Sequence, residues 1–136
     1  HVLHFTYDYA RDGGGTGFIN LKPEFTALEK GLVVKEVSLH AEKALGSAGS
    51  ASVTVGHGQD KDGYLADVFS ELNSDGAVVR SGEVAGALLF DDTNDHEIDY
   101  LIDADNKTDL GFDIGTAALN AGKVNAYVKC IKPGNV

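Results

Sequence analysis

The sequence predicts an all-β protein, a single antiparallel β-sandwich or jelly roll spanning residues 1–136 with at most one or two short helices. Three observations carry this expectation. Apolar residues recur with a period of two in one short segment after another, the period of a half-buried strand. The 17 glycines far outnumber the 2 prolines and fall between those segments, where turns belong. The length, 136 residues with 43% hydrophobic residues, suits one domain with a core of its own.

The strands follow in order. In HVLHFTYDYA, Leu3, Phe5, Tyr7 and Tyr9 share one face, opposite Val2, His4, Thr6, Asp8 and Ala10. RDGGGTG (Arg11–Gly17) interrupts the pattern. A P-loop needs Gly-Lys-Ser/Thr and a following helix, and FINLKP follows here instead, so the glycines read as a flexible hairpin or exposed loop. Phe18–Leu21 is a short second strand. In VVKEVSLHA, Val37, Leu39 and Ala41 oppose Glu36, Ser38 and His40. Ala51–Val55, Glu83–Phe90, His96–Asp103, Asp109–Ile114 and Lys123–Ile131 complete a set of about eight strands. One stretch breaks the rule. Leu65, Val68, Phe69 and Leu72 recur at helical spacing, with Asp62 as a cap and Asn73–Gly76 as a stop, which predicts a short helix; a strand through Ala66–Phe69 is the alternative.

Composition narrows the function classes. The 21 acidic against 11 basic residues give a net charge of −10, spread along the chain, which repels phosphate backbones and argues against nucleic acid as a partner. No apolar run approaches the ~18 residues of a membrane span, so no membrane partner is expected, and no signal-peptide pattern is present. The chain lacks methionine and opens on His1, which suggests numbering that begins after a processed or missing segment. Cys130 is the only cysteine; it shares parity with Val124, Ala126 and Val128 and reads as a small buried apolar residue rather than a reactive thiol.

The stretch SVTVGHGQDKDG (Ser52–Gly63) carries the strongest chemical temptation, with His57, Asp60 and Asp62 close together. Zinc wants three protein ligands at fixed geometry, and His57 stands alone between two glycines. A calcium loop wants an early oxygen ligand and a glutamate six residues after its glycine; here Gly58 and Phe69 hold those places. The stretch therefore reads as a strand running into a loop whose aspartates bond their own backbone, with weak calcium binding at Asp60 and Asp62 as the competing reading. The acidic run Phe90–Asp105 holds Asp91, Asp92, Asp95, Glu97, Asp99, Asp103 and Asp105, but a glycosidase needs one defined pair facing a sugar, and no pair stands out. No GxSxG or HExxH occurs. No catalytic residue, metal ligand or cofactor site is assigned, and the expectation is that the chain is not an enzyme.

Two stretches nevertheless form a recognisable pattern. SASVTVG (Ser50–Gly56) follows the small-residue loop Gly46–Ser50 and precedes DKDGYL (Asp60–Leu65); GTAALNAGKVNAYVKCI (Gly115–Ile131) ends the chain as a hairpin with an alternating last strand. Together they resemble small virion proteins of tailed bacteriophages, closely over these stretches and loosely from Val33 to Ile131. The helical spacing at Leu65–Leu72 and the insert Asp91–Asp95 depart from the pattern. The resemblance implies a small β domain that assembles on the capsid or tail. A capsid decoration (cement) protein bound to the major capsid protein is the first expectation, and a tail or head-fibre component the nearest variant. It implies no catalytic residue.

A carbohydrate-binding sandwich is the rival from another class; with no tryptophan, only Tyr7, Tyr9, Tyr64, Tyr100 and Tyr127 could form its platform. Self-association is expected on a separate ground. Val2 and Ala10, and Tyr127 and Ile131, lie opposite the core faces of the first and last strands and need a cover, which either a neighbouring copy or loops of the same chain supply. A homotrimer is expected on the phage resemblance.

Overall fold

The computed structural model describes residues 1–133. It is a two-sheet antiparallel sandwich. The strands are β1 (Val2–Asp8), β2 (Gly17–Asn20), β3 (Lys22–Pro23), β4 (Val33–Ser47), β5 (Ser52–His57), β6 (Asp60–Leu65), β7 (Val78–Arg80), β8 (Phe90–Asp91), β9 (His96–Glu97), β10 (Tyr100–Leu101), β11 (Gly111–Gly115) and β12 (Leu119–Ile131). Two single-turn helices, α1 (Tyr9–Asp12) and α2 (Ser81–Val84), and a 3-10 turn at Asp105–Lys107 complete the chain. Sheet A runs β10-β4-β12-β1-β3, with β7 also paired to β4; sheet B runs β2-β11-β5-β6; β8 and β9 form a separate ribbon.

Alternation explains the core. Phe5 and Tyr7 of β1, Val37, Leu39 and Ala41 of β4, and Val124, Ala126, Val128 and Cys130 of β12 are buried on the inner face of sheet A. Val53 and Val55 of β5 and Phe112 and Ile114 of β11 meet them from sheet B. Tyr7 and Phe112 touch across the sandwich, ring centroids 5.1 Å apart. Each buried Val, Leu, Ile or Phe among them contributes about 1.5–3 kcal/mol by leaving water. Val34 and Val37 are both buried although three residues apart. Cys130 pairs with Val34 and Lys129 with Glu36, so Lys35 is the extra residue of a β-bulge that resets the parity.

The strands at Phe18–Leu21, Val33–Ala41, Ala51–Val55, Asp109–Ile114 and Lys123–Ile131 form essentially as expected, β4 and β12 being longer than the alternation alone indicates. Four expectations need correction. First, β1 ends at Asp8; its carboxylate accepts the Ala10 N–H (3.0 Å) and caps α1, so Tyr9 and Ala10 leave the strand.

Second, no helix or strand forms over Ala66–Phe69 or through Leu72, and Asp62 lies in β6 rather than at a helix start. Asp67 accepts the N–H groups of Val53 (2.9 Å) and Phe69 (3.0 Å), which ties the chain to β5 in a turn. The bond from the Leu72 N–H to the Val68 carbonyl (3.1 Å) is a lone helical turn. Leu65, Val68 and Leu72 are still buried: the apolar spacing serves a strap over the core instead of a helix.

Third, Glu83–Phe90 is not a strand. It leaves α2 and runs along β6, with the Ala66 N–H bonded to the Val84 carbonyl (2.8 Å), the Gly86 N–H to the Tyr64 carbonyl (3.0 Å) and the Leu88 N–H to the Gly63 carbonyl (2.9 Å). A Cβ on Gly86 would strike the carbonyls of Asp62 and Gly63, so only glycine permits this approach. The strap covers the free edge of sheet B. Fourth, His96–Asp103 divides: His96–Glu97 joins the ribbon and Tyr100–Leu101 pairs with the start of β4.

Candidate functional site

The Ser52–Gly63 stretch folds as the hairpin β5–β6, turning at Gly58-Gln59, rather than as a strand followed by a loop. Gly56 allows the bend, because a Cβ there would meet the backbone of Asp60 and Lys61. The bend drives His57 inward until it is 2% exposed. Its Nδ1 accepts the Gln59 N–H (3.1 Å), so the ring proton sits on Nε2 and donates to the Tyr100 hydroxyl (3.1 Å). Tyr100 stacks on the imidazole at 5.7 Å and Tyr64 meets both rings edge-on. Burial lowers the His57 pKa and favours the neutral ring. With both nitrogens engaged, His57 is a structural core histidine.

Asp60 and Asp62 lie in β6, and so are not the loop turn-formers expected. Burial, then the adjacent Asp62 carboxylate, raises the Asp60 pKa. Among the described residues no three His, Cys, Asp or Glu side chains are grouped as a metal site would need. The acidic run likewise supplies local ties. Asp91 accepts the N–H groups of Thr93 (3.0 Å) and Asn94 (3.2 Å), Asp99 pairs with Lys35 (2.7 Å), and Asp103 pairs with Lys107 (3.0 Å). Cys130 is buried and its thiol pKa is pushed up by that burial, as a packing residue requires. The glycine loop is less open than expected: Gly14 is buried against Leu119, whose N–H bonds the Gly14 carbonyl (2.8 Å).

The tyrosines do not form one platform. Tyr7 and Tyr64 are fully buried, and the Tyr7 hydroxyl donates to the Gly13 carbonyl (2.6 Å). Tyr100 belongs to the His57 cluster. Tyr9 sits in α1, and Tyr127 stacks on His4 (4.7 Å) on the outer face of sheet A.

That outer face is polar at its middle and apolar at one end. Its centre is a connected polar network. Asn125 accepts from His4 Nε2 (2.8 Å) and donates to Glu42 (3.1 Å), which also pairs with Lys123 (3.3 Å). Toward the start of β1 and the end of β12 the surface becomes apolar. Val2 is 63% exposed and Ile131 48%, and Ile131 pairs with Val33, which pairs in turn with Leu101, 51% exposed. These are the unburied faces of the first and last strands that the alternation anticipates. At the same end, the segment after β3 presents Phe25, 93% exposed, beside a groove of about 340 Å³ lined by Leu3, Thr26, Ala27, Leu32, Cys130 and Lys132, among others. No periodicity marks Phe25, a lone aromatic between Glu24 and Thr26.

Charge is divided between two regions. Residues 57–113 hold 15 of the 21 carboxylates and 3 of the 11 cationic side chains; the remainder is nearly balanced, with 6 and 8. The apolar end of sheet A lies mostly in the balanced part. No helix among the described residues is long and apolar enough to cross a membrane.

No protein-family model matches the chain, and no curated protein matches it in sequence. In structure it is similar to a chain of the cyanophage Pam1 capsid asymmetric unit, with a TM-score of 0.65 over 98% of this chain and 84% of that one, at 16% sequence identity. The likeness is one of fold: the two chains share the same sandwich nearly end to end.

Proposed function

We propose that this chain is a structural protein of a tailed-phage virion, a decoration (cement) protein that binds the major capsid protein shell and stabilises it. The observation that carries the reading is the fold likeness to a phage capsid chain, which extends over 98% of the residues. It agrees with the resemblance of Ser50–Leu65 and Gly115–Ile131 to phage virion proteins. The role is non-catalytic and needs no cofactor, nucleic acid or membrane. Binding draws on apolar area, about 25 cal/mol per Å² removed from water, with many weak contacts reinforced by symmetry. The working unit is a homo-oligomer, and a trimer is the form the phage resemblance favours.

A tail or head-fibre component is the nearest variant, and copy number separates the two. Quantitative mass spectrometry of purified particles should find this chain at a level comparable with the shell subunit. A few copies per particle would favour the tail, and absence from particles would overturn both. The carbohydrate-binding reading gains nothing from the dispersed tyrosines.

A further inference from the structure

We infer that the tip of the β5–β6 hairpin, Gly56–Asp60, is an acid-released latch, with His57 as its catch on Tyr100. The tip is set apart from the strands that carry it. β11 pairs with β5 only as far as Gly56, and the β5–β6 ladder is irregular between Val55 and His57. Beyond Gly56 the tip therefore pairs with itself, His57 opposite Asp60. Glycines flank His57 on both sides and leave the backbone free to turn there. Besides that pairing, three hydrogen bonds hold the tip closed among the described residues. Gln59 N–H donates to His57 Nδ1 (3.1 Å), His57 Nε2–H to the Tyr100 hydroxyl (3.1 Å), and Gly58 N–H to Asp109 Oδ1 (3.0 Å). The last two tie a hairpin of sheet B to β10, at the edge of sheet A, and to the chain just ahead of β11. A unit joined by so few bonds is the kind that opens locally while the rest of the fold stays closed.

Acid acts on one of these bonds directly. Nδ1 accepts the Gln59 N–H only while the ring is neutral; a proton on Nδ1 sets two donors face to face and breaks the tie. The closed tip also gives the cation no direct partner. His57 is packed on the rings of Tyr100 and Tyr64, and no carboxylate pairs with it among the described residues. Burial is the largest influence on the ring and holds its pKa below 6.5. At longer range Asp60 of β6, Asp109 and Asp103 favour the charged form, and Lys107 of the 3-10 turn opposes it. Tyr64 and Tyr100, both with pKa values raised by burial, stay neutral throughout. Swinging the tip outward returns the imidazolium to water and uncovers the two tyrosines. Protonation and opening therefore favour each other.

The test is native-state amide exchange by NMR on the full chain from about pH 7.5 to about pH 4.5, with the His57 ring titrated in the same samples. We expect protection of the Gln59 amide to fall as the ring titrates, by up to about ten-fold for each pH unit between 6.5 and the lowered value, while amides of β4 and β12 keep theirs. In His57→Gln, whose side chain still accepts and donates but does not titrate, Gln59 protection should stay constant over that range. Wild-type protection that does not change, or that changes at a pH where the His57 ring does not titrate, would overturn the latch. A ring still neutral at the acid end would do the same, as would the wild-type pH dependence persisting in His57→Gln. Loss at the tip only together with β4 and β12 is global unfolding and also counts against it. Should His57→Gln fail to fold, agreement or disagreement of the wild-type midpoints decides alone.

Discussion

Sheet A and the segment from Ala66 to Leu110 both bury apolar side chains, yet they hold their backbones by opposite means. In sheet A, β4 and β12 pair over eleven positions, and the ladder itself satisfies the N–H and carbonyl groups. Between Ala66 and Leu110 the strands are two or three residues long, and side chains do much of that work. Asp67 takes the N–H of Val53, Asp75 that of Ala44 (2.7 Å), Ser81 that of Val37 (3.1 Å) and Asp109 that of Gly58 (3.0 Å). Much of the acidity of this segment is thus structural. Short carboxylates let an irregular strap close over a sandwich while accepting backbone N–H groups that no ladder reaches.

If the strap is a full part of the core, removing a buried side chain from either region should cost similar amounts. Leu39→Ala in sheet A and Leu72→Ala in the strap should each destabilise by about 2–5 kcal/mol in chemical denaturation. A Leu72→Ala cost below about 1 kcal/mol would mark the strap as separable, since a fully buried leucine should not be that cheap. Asp67→Ala, which leaves the Val53 and Phe69 N–H groups without their acceptor, should cost about 1–3 kcal/mol. An Asp67→Asn variant should recover much of this, because its carbonyl oxygen can still accept.

Acid should act on the hairpin next. His57 is held neutral, with a pKa below its ordinary value of 6.5. Below that ordinary value the unfolded chain takes up a proton that the folded chain resists, so this contribution is lost as the pH falls from 6.5 toward the lowered value. Asp12, whose pKa is lowered by its hydrogen bond from Arg11, adds a loss of the same sign only below the ordinary carboxylate value of 3.8. Asp60, with a raised pKa, acts in the opposite sense, its ionised form being the disfavoured one in the fold. The midpoint of thermal unfolding should therefore drop between about pH 7 and about pH 5 in wild type and drop less in His57→Gln. Parallel profiles would show that His57 does not sense pH. The smallest effect belongs to the surface: Lys35→Ala, which opens the half-exposed pair with Asp99, should change stability by about 0–1 kcal/mol.

The same contrast explains what the sequence made legible. Where a ladder sets the backbone, side chains alternate, and the segments around Val37–Ala41, Val53–Val55, Phe112–Ile114 and Val124–Val128 could be read with their buried faces. Where carboxylates set it, apolar spacing carries no period of its own, so Leu65, Val68 and Leu72 imitated a helix and Glu83–Phe90 imitated a strand. The bulge at Lys35 and the bend at Gly56 were hidden because both depend on a partner strand distant in sequence. The surface divided in the same way. Val2 and Ile131 were visible as wrong-face residues of strands, whereas Phe25 and its groove arise from how the segment after β3 lies beside β1 and β12.

The most direct test of the proposed role is reconstitution: adding the purified chain to phage particles that lack it and measuring both bound copies and the temperature of genome release. Saturable binding at a level set by the shell lattice, with release shifted to higher temperature, is the predicted result. No binding at micromolar concentration, or binding that leaves the release temperature unchanged, would contradict it.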